Sequence, residues 1–220
     1  MLGKRDKRFM HPLNTLVDHN RENEIKWDRR AKSYDDKRFD YFRFMQKKTI
    51  SQMEIKENIS FLDLGCGTGL AVRYVSDLTR GNGKYWGIDI SNGMIEKAKI
   101  NSKGLKNVNF IRASAEELPF DNDNFDKIIC TNSFHHYLYP DRVLSEIFGV
   151  LKPNGRIYIL DVTSDDRLIN WINRKVQKKE KAHVCFYSTS AFIKMFNESG
   201  LRHIKSKSLT YPLKLHVAEK

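Results

Sequence analysis

Residues 61–70 read FLDLGCGTGL, an apolar run that ends in an acid and is followed by three glycines at alternate positions. Glycine has no Cβ and tolerates positive φ. Gly65, Gly67 and Gly69 therefore let the chain turn sharply and let a ligand come close to the backbone. A strand that passes through such a turn into a helix leaves unpaired N–H groups, and the positive end of the helix dipole, facing whatever binds there. The stretch commits the chain to strand–turn–helix units, and these pack stably as helices laid on a mostly parallel sheet.

From residue 57 onward, short apolar β-branched runs alternate with amphipathic segments, as crossover units require. The spacing predicts strands at NISFLDL, GKYWGIDI, NVNFIRA, FDKIICT and RIYILDV. The helices between them are GLAVRYVSDLT, SNGMIEKAKINSKG and DRVLSEIFGVL. Ser91 is the N-cap of the second helix, Gly104 lies near its end, and KPNG is a turn before the fifth strand. Two further helices, DRLINWINRKVQKK and STSAFIKMFNESG, lead to RHIKSKSLT and LKLHVAEK. Only YP separates these last runs, too little for a parallel crossover, so they form an antiparallel hairpin. The expected fold class is α/β: a mostly parallel seven-stranded sheet with helices on both faces and an antiparallel C-terminal hairpin. Residues 1–56, with helical stretches around ENEIKWDRRAKSYD and FDYFRFMQKKTISQMEIK, are expected to form a helical cover. Residues 57–220 are expected to form the main domain, with 163–190 inserted beside the site.

With 220 residues and 40% hydrophobic content, the chain has enough material for one sizeable core. No run of about 18 apolar residues is present, and MLGKRDKRFMHP lacks the apolar middle of a signal peptide, so a soluble cytoplasmic protein is expected. Cys66, Cys130 and Cys185 show no CxxC spacing, which argues against a disulfide framework or a zinc ribbon; no metal is expected. The net charge of +12 is spread over residues 4–8, 46–48, 173–181 and 203–208. A basic surface can attract an anionic membrane, an acidic small substrate or nucleic acid, and the commoner alternative is a solvated Lys-rich face. Nucleic acid is disfavoured because no RNA-binding signature accompanies the charge.

The P-loop pattern is absent, and GxGxG departs from the GxGxxG of dinucleotide sites. Asp89 stands at the end of the second strand, past the glycine turn. An acid there can accept both hydroxyls of a ribose; the alternative is a capping role at the helix that starts near residue 91.

Taken in order, FLDLGCGTG, GIDIS, ASAEELPFDNDNFDKI and CTNSFHHYLYPDRVLSEIFGVLKPNGRIYILD resemble the class I S-adenosylmethionine-dependent methyltransferases. The resemblance is to the group that includes ubiquinone- and menaquinone-type C-methyltransferases, and it covers roughly residues 57–162. It implies a Rossmann-like methyltransferase fold, S-adenosyl-L-methionine as cofactor and S-adenosyl-L-homocysteine as product. It places Asp63, Gly65, Cys66, Gly67 and Gly69 at the methionine end of the cofactor, and Asp89 at the ribose. Ile90, Met94, Ser114, Ala115 and Glu116 fall around the adenine, and Asn132 and Ser133 beside the transferring methyl. Tyr34 belongs to AKSYD, which matches an Ala-x-x-Tyr-Asp segment common ahead of the cofactor domain in related enzymes.

Methyl transfer is an in-line displacement that asks for alignment, exclusion of water and, with some acceptors, removal of a proton. His135 and His136 are the candidate bases, since they follow the fourth strand at the carboxyl edge of the sheet; the alternative is that they only shape the cofactor site. Trp27, Tyr34, Phe39, Tyr41, Phe42 and Phe44 crowd the N-terminal segment. Trp171, His183, Phe186 and Tyr187 lie in the 163–190 insertion, which is expected to supply the other half of the acceptor pocket. The implied activity is methyl transfer to a small-molecule or lipid-like acceptor. The alternatives are a nucleic-acid methyltransferase, which the absent Asn-Pro-Pro-aromatic motif disfavours, a binding protein without transferase activity, and a nicotinamide dehydrogenase. The sequence leaves the oligomeric state open.

Overall fold

Seven strands form one sheet in the order β3-β2-β1-β4-β5-β7-β6. They are β1 (Ile59–Leu64), β2 (Gly83–Asp89), β3 (Val108–Arg112), β4 (Phe125–Thr131), β5 (Leu151–Val162), β6 (Arg202–Thr210) and β7 (Leu213–Glu219). The computed structural model describes residues 13–31, 33–34, 40–180 and 182–220. Lys32, Asp35, Phe39, Lys181 and the basic run at 4–8 lie outside the described residues. The helices are α1 (Leu13–Ala31), α2 (Asp40–Ile50), α3 (Leu70–Leu78), α4 (Asn92–Asn101), α5 (Pro140–Val150), α6 (Arg167–Lys179) and α7 (Thr189–Glu198).

β1 to β5 pair in parallel, while β7 runs antiparallel to both β5 and β6. This is the Rossmann-like class I methyltransferase fold. The central strand β1 is buried along its whole length because helices cover both sides. Its alternation sends Leu62 and Leu64 toward α5 and α7, where they join Val143, Ile147, Phe192 and Phe196. Phe61 points the other way, into a second core with Met45 of α2, Val72 and Val75 of α3, and Ile95 of α4.

The local chemistry explains the helix starts. Ser91, Asp166 and Ser188 each accept a hydrogen bond from a first-turn backbone N–H, as N-caps do. KPNG does not stand apart as a turn before β5. It interrupts the pairing of a longer strand: Phe125 faces Leu151 and Lys127 faces Arg156, with Asn154 at positive φ between them. The first helix also begins well before the periodic stretch at 22–35. Leu13, Leu16 and Val17 stand at helical spacing in its first turns, but residues 18–24 carry no apolar residue to continue the stripe into that stretch. The second stops at Ile50, where Ser51, Gln52 and Met53 close into tight turns and Met53 enters the core. Among the described residues no helix is long and apolar enough to cross a membrane.

Candidate functional site

The strand order reverses between β1 and β4, and a cleft opens there at the carboxyl ends of the strands, where open α/β sheets bind ligands. It encloses about 680 Å³ of space when its open mouth is included. Gly65 and Gly67 form one wall at φ 68° and 51°. A Cβ at Gly65 would stand 2.2 Å from Ser133 Oγ, so the turn after β1 and the turn after β4 approach closely only because residue 65 has no side chain. Gly69 does not line the cleft. It opens α3 at φ 80°, where a Cβ would meet Phe110 at 2.7 Å, so its role is to seat the helix on the sheet. Cys66 points into the core against Gly87, and burial pushes its thiol up.

Two acids stand at this turn. Asp89 accepts the Gly67 N–H at 2.9 Å through Oδ2 and the Ser91 N–H at 2.9 Å through Oδ1. It thereby joins the glycine turn to the start of α4, and each oxygen retains a lone pair for a ligand. Burial raises its pKa to about 6 against the pull of those two amides. Asp63, two residues before Gly65, is fully buried, and neither carboxylate oxygen has a partner among the described residues. Burial first, and the nearby Asp89 second, push its pKa well up. Asp63 stands behind the turn rather than on the cleft wall.

Ile90, Met94, Ser114, Ala115 and Glu116 line the side reached from β2 and β3, and Asn132 and Ser133 the side reached from β4. Glu116 is held in place: Ser114 Oγ donates to Oε2 at 2.5 Å and the Leu138 N–H to Oε1 at 3.2 Å. Ser133 Oγ donates to the Tyr137 hydroxyl at 3.1 Å, and burial raises the pKa of that phenol.

The roof comes from the N-terminal segment. Asn20, Asn23, Trp27 and Tyr34 line the cleft from above. Helix α1 is anchored at several points. Asp28 Oδ1 accepts from the Gly93 N–H at 2.9 Å and from Ser91 Oγ at 2.5 Å, Glu24 pairs with Arg112 at 2.7 Å, and His19 Nε2 donates to the His136 carbonyl at 2.7 Å. Trp27 meets Tyr34 and His136 edge-on, with ring centroids 6.1 and 5.4 Å apart.

The two adjacent histidines occupy a 3-10 turn, Phe134–His136, and diverge. His136 lines the cleft, and His135 does not. The His136 Nδ1–H donates to the Ala182 carbonyl at 2.5 Å, which leaves Nε2 as the acceptor nitrogen. Burial, then the neighbouring His135 and Lys26, hold its pKa well below the ordinary value, so the ring is neutral at pH 7. His135 turns back to Asp161 at the end of β5, which takes its Nδ1–H at 2.7 Å and its backbone N–H at 3.0 Å.

None of the described residues of the 163–190 insertion lines this cleft. The insertion reaches the site indirectly, by holding His136 through Ala182 and packing Phe186 edge-on and His183 at a tilt against His135. Sequence reasoning missed Asn20, Asn23 and Tyr137 as lining residues, and Asp161 as the partner of His135. Tyr137 carried a signal, four residues past Ser133 in the same turn. Asp161 carried another, an acid closing a buried apolar strand. The two asparagines carried none.

Residues 55–213 match the family model described as Methyltransferase domain. The chain belongs to that family. This methyltransferase-domain protein is 38% identical over 120 residues to the demethylmenaquinone methyltransferase of Lactococcus lactis, a match covering 53% of this chain and 47% of that one. It is 30% identical over 162 residues to the ubiquinone/menaquinone biosynthesis C-methyltransferase UbiE of Wigglesworthia glossinidia brevipalpis, covering 72% of this chain and 61% of that one. The chain thus spans 47% to 61% of the length of these two curated relatives. A SAM-dependent methyltransferase structure from Aquifex aeolicus shares the fold with a TM-score of 0.70 at 24% identity, covering 87% of this chain and 97% of that one.

The cleft fits the cofactor that this fold serves. The Gly65–Gly67 cradle would be filled by any Cβ at residue 65, and Asp89 presents a carboxylate at its rim. Asp63 is a buried acid without a partner beside that cradle, an arrangement that an ammonium group would satisfy.

Proposed function

We propose that the protein is an S-adenosylmethionine-dependent methyltransferase acting on an uncharged, aromatic or lipid-like small molecule of the quinol type. The observation that carries the acceptor class is the lining of the cleft. Trp27, Tyr34, Tyr137 and His136 give it an aromatic wall, and the charged residues among its described lining are the carboxylates Asp89 and Glu116. An aromatic wall suits a flat, apolar acceptor, and no cation among the described lining residues would hold a phosphate, a carboxylate or a nucleic-acid backbone. The names of the two relatives, both tied to quinone methylation, support the same class.

When bound, the cofactor supplies an electrophilic methyl on sulfur. Asp89 would hold the ribose hydroxyls, Asp63 and the Gly65 turn the methionine end, and Ile90, Met94 and Ala115 the adenine, with the Gly67 amide keeping Asp89 in place. The chain's remaining task is to place the acceptor in line and exclude water. Helix α1, pinned by Asp28 and Glu24, roofs the site and carries Trp27 over the acceptor side. His136 Nε2, neutral and oriented by the Ala182 carbonyl, accepts a hydrogen bond from an acceptor hydroxyl and takes its proton as the new bond forms. The Asp161–His135 pair, with its imidazole 4.0 Å from that of His136 between centroids, fixes the position of the turn.

The test is transfer of isotopically labelled methyl from S-adenosylmethionine to short-chain demethylated quinols, to simple acidic aromatics and to RNA. Labelled quinol product alone is the expected result. Label in RNA or in the acids, with none in the quinols, would overturn the acceptor class.

A further inference from the structure

Helix α6 displays a surface that the cleft does not use. Its inner side is fixed to the body: Ile169 is buried, and Asn173 Oδ1 accepts from the Phe186 N–H at 3.0 Å and bonds His183 Nε2 at 2.8 Å. Its outer side presents Leu168, Trp171, Ile172 and Val176 at helical spacing, with Leu168 56% and Trp171 53% exposed. An open groove runs along Trp171, Ile172 and Val176 between the stems of Lys175 and Lys179. Arg167, Arg174, Lys175, Lys178 and Lys179 flank this stripe, and the helix itself contains no acid. The acids at its ends are engaged, Asp165 with Lys214, the N-cap Asp166 with the Ile169 N–H, and Glu180, which also lines the groove, with Lys26, while among the described residues no ion pair neutralises the five cations.

We infer that α6 is a docking helix for an anionic bilayer surface, lying in the plane of the interface with Leu168, Trp171, Ile172 and Val176 in the acyl boundary and its cations among the headgroups. An apolar stripe bordered by Lys and Arg is the pattern of an interfacial helix: apolar side chains enter the boundary, long basic chains reach back to the phosphates, and Trp sits at headgroup depth. Nucleic acid would match the charge, but three of the four apolar side chains are aliphatic and offer a base no stacking face. The helix also adjoins the cleft's roof, since Glu180 at its end pairs with Lys26 on α1. Docking would therefore bring the roof helix to the lipid surface. The inference holds whatever the acceptor is.

The experiment is co-sedimentation of the full chain with vesicles of phosphatidylcholine, alone or with about one-third phosphatidylglycerol, with a single-stranded RNA as competitor. The wild type is expected to bind the anionic vesicles, more weakly as salt rises, and the neutral ones poorly. Lys175→Gln with Lys178→Gln and Lys179→Gln should weaken partitioning by roughly fivefold per cation removed. Trp171→Ser with Leu168→Ser should weaken it while leaving net charge and S-adenosylmethionine affinity unchanged. Equal binding of wild type and both variants, or no binding to anionic vesicles, would overturn the inference. RNA binding that the same variants abolish, with vesicle binding absent, would reassign the surface to nucleic acid. Methyl transfer to a water-soluble quinol in the absence of vesicles tests the acceptor separately, so failure of one proposal is distinguishable from failure of the other.

Discussion

Replacing Gly65 by alanine should destabilise the protein more than the same change at a turn glycine with open space around it. An L-residue at φ 68° carries a left-handed penalty of about 1–2 kcal/mol. The new Cβ would also stand 2.2 Å from Ser133 Oγ and 2.7 Å from Ser133 Cβ, distances no rotamer of alanine can relieve. If Ser133 withdraws, its 3.1 Å hydrogen bond to the Tyr137 hydroxyl is lost and a buried phenol is left without that partner, at a cost of about 1–3 kcal/mol. The two contributions sum to roughly 2–5 kcal/mol, a large share of the stability of a small domain. Gly81 supplies the control: it has φ 76°, but a Cβ there would meet nothing within 4 Å, so Gly81→Ala should show the left-handed penalty alone. Urea unfolding followed by tryptophan fluorescence compares the two directly. In a Ser133→Gly background, where that hydrogen bond is already gone and no side chain faces residue 65, Gly65→Ala should cost only the left-handed penalty. Equal destabilisation by Gly65→Ala and Gly81→Ala, or the same cost of Gly65→Ala with Ser133 and with Gly at position 133, would refute the close approach of the two turns.

Three other outcomes are expected. With the Asp89 pKa near 6, the carboxylate is ionised above that pH and loses an acceptor oxygen below it, so S-adenosylmethionine affinity should fall as pH drops through about 6, and Asp89→Asn should bind weakly with little pH dependence. His216 is buried, stacked on Phe192 and depressed to about 4 chiefly by burial, so the unfolded chain takes up a proton first as pH falls below about 6.5. Stability should therefore decline between pH 6.5 and 4 by about 3 kcal/mol from this residue, and urea unfolding of His216→Gln should show a shallower decline in that window. Asp28→Ala removes the acceptor for the Gly93 N–H and Ser91 Oγ, so amide exchange in residues 13–31 should quicken while exchange in β1 and β4 stays slow; unchanged exchange in α1 would show that the roof is held elsewhere.

Much of this architecture was legible because its signals are local. Strand β4 was bounded by its β-branched run between turn residues, and β6 and β7 by a spacer too short for anything but a hairpin. The glycine turn announced the cleft because only a close approach asks for three such residues, although the reason at Gly69, packing against Phe110, differs from the reason at Gly65. The position of β7 between β5 and β6 was not legible, since insertion of a strand into a sheet depends on edge pairing far along the chain. The same holds for the histidines. Their adjacency was visible, but which one faces the cleft is decided by Asp161 and Ala182, 26 and 46 residues away. Asn20 lies in the polar stretch before the helix read at 22–35 and Asn23 at that helix's start, where no apolar residue marks the face that lines the cleft.

The most direct test of the central claim is calorimetric titration of the full chain with S-adenosylmethionine, S-adenosylhomocysteine and NAD in parallel, for the wild type and for Asp89→Ala. Saturable binding of the first two, none of NAD, and a loss of about 1.5–3 kcal/mol in Asp89→Ala is the predicted result. Binding of NAD alone, or S-adenosylmethionine affinity unchanged by Asp89→Ala, would contradict the assignment of the cleft.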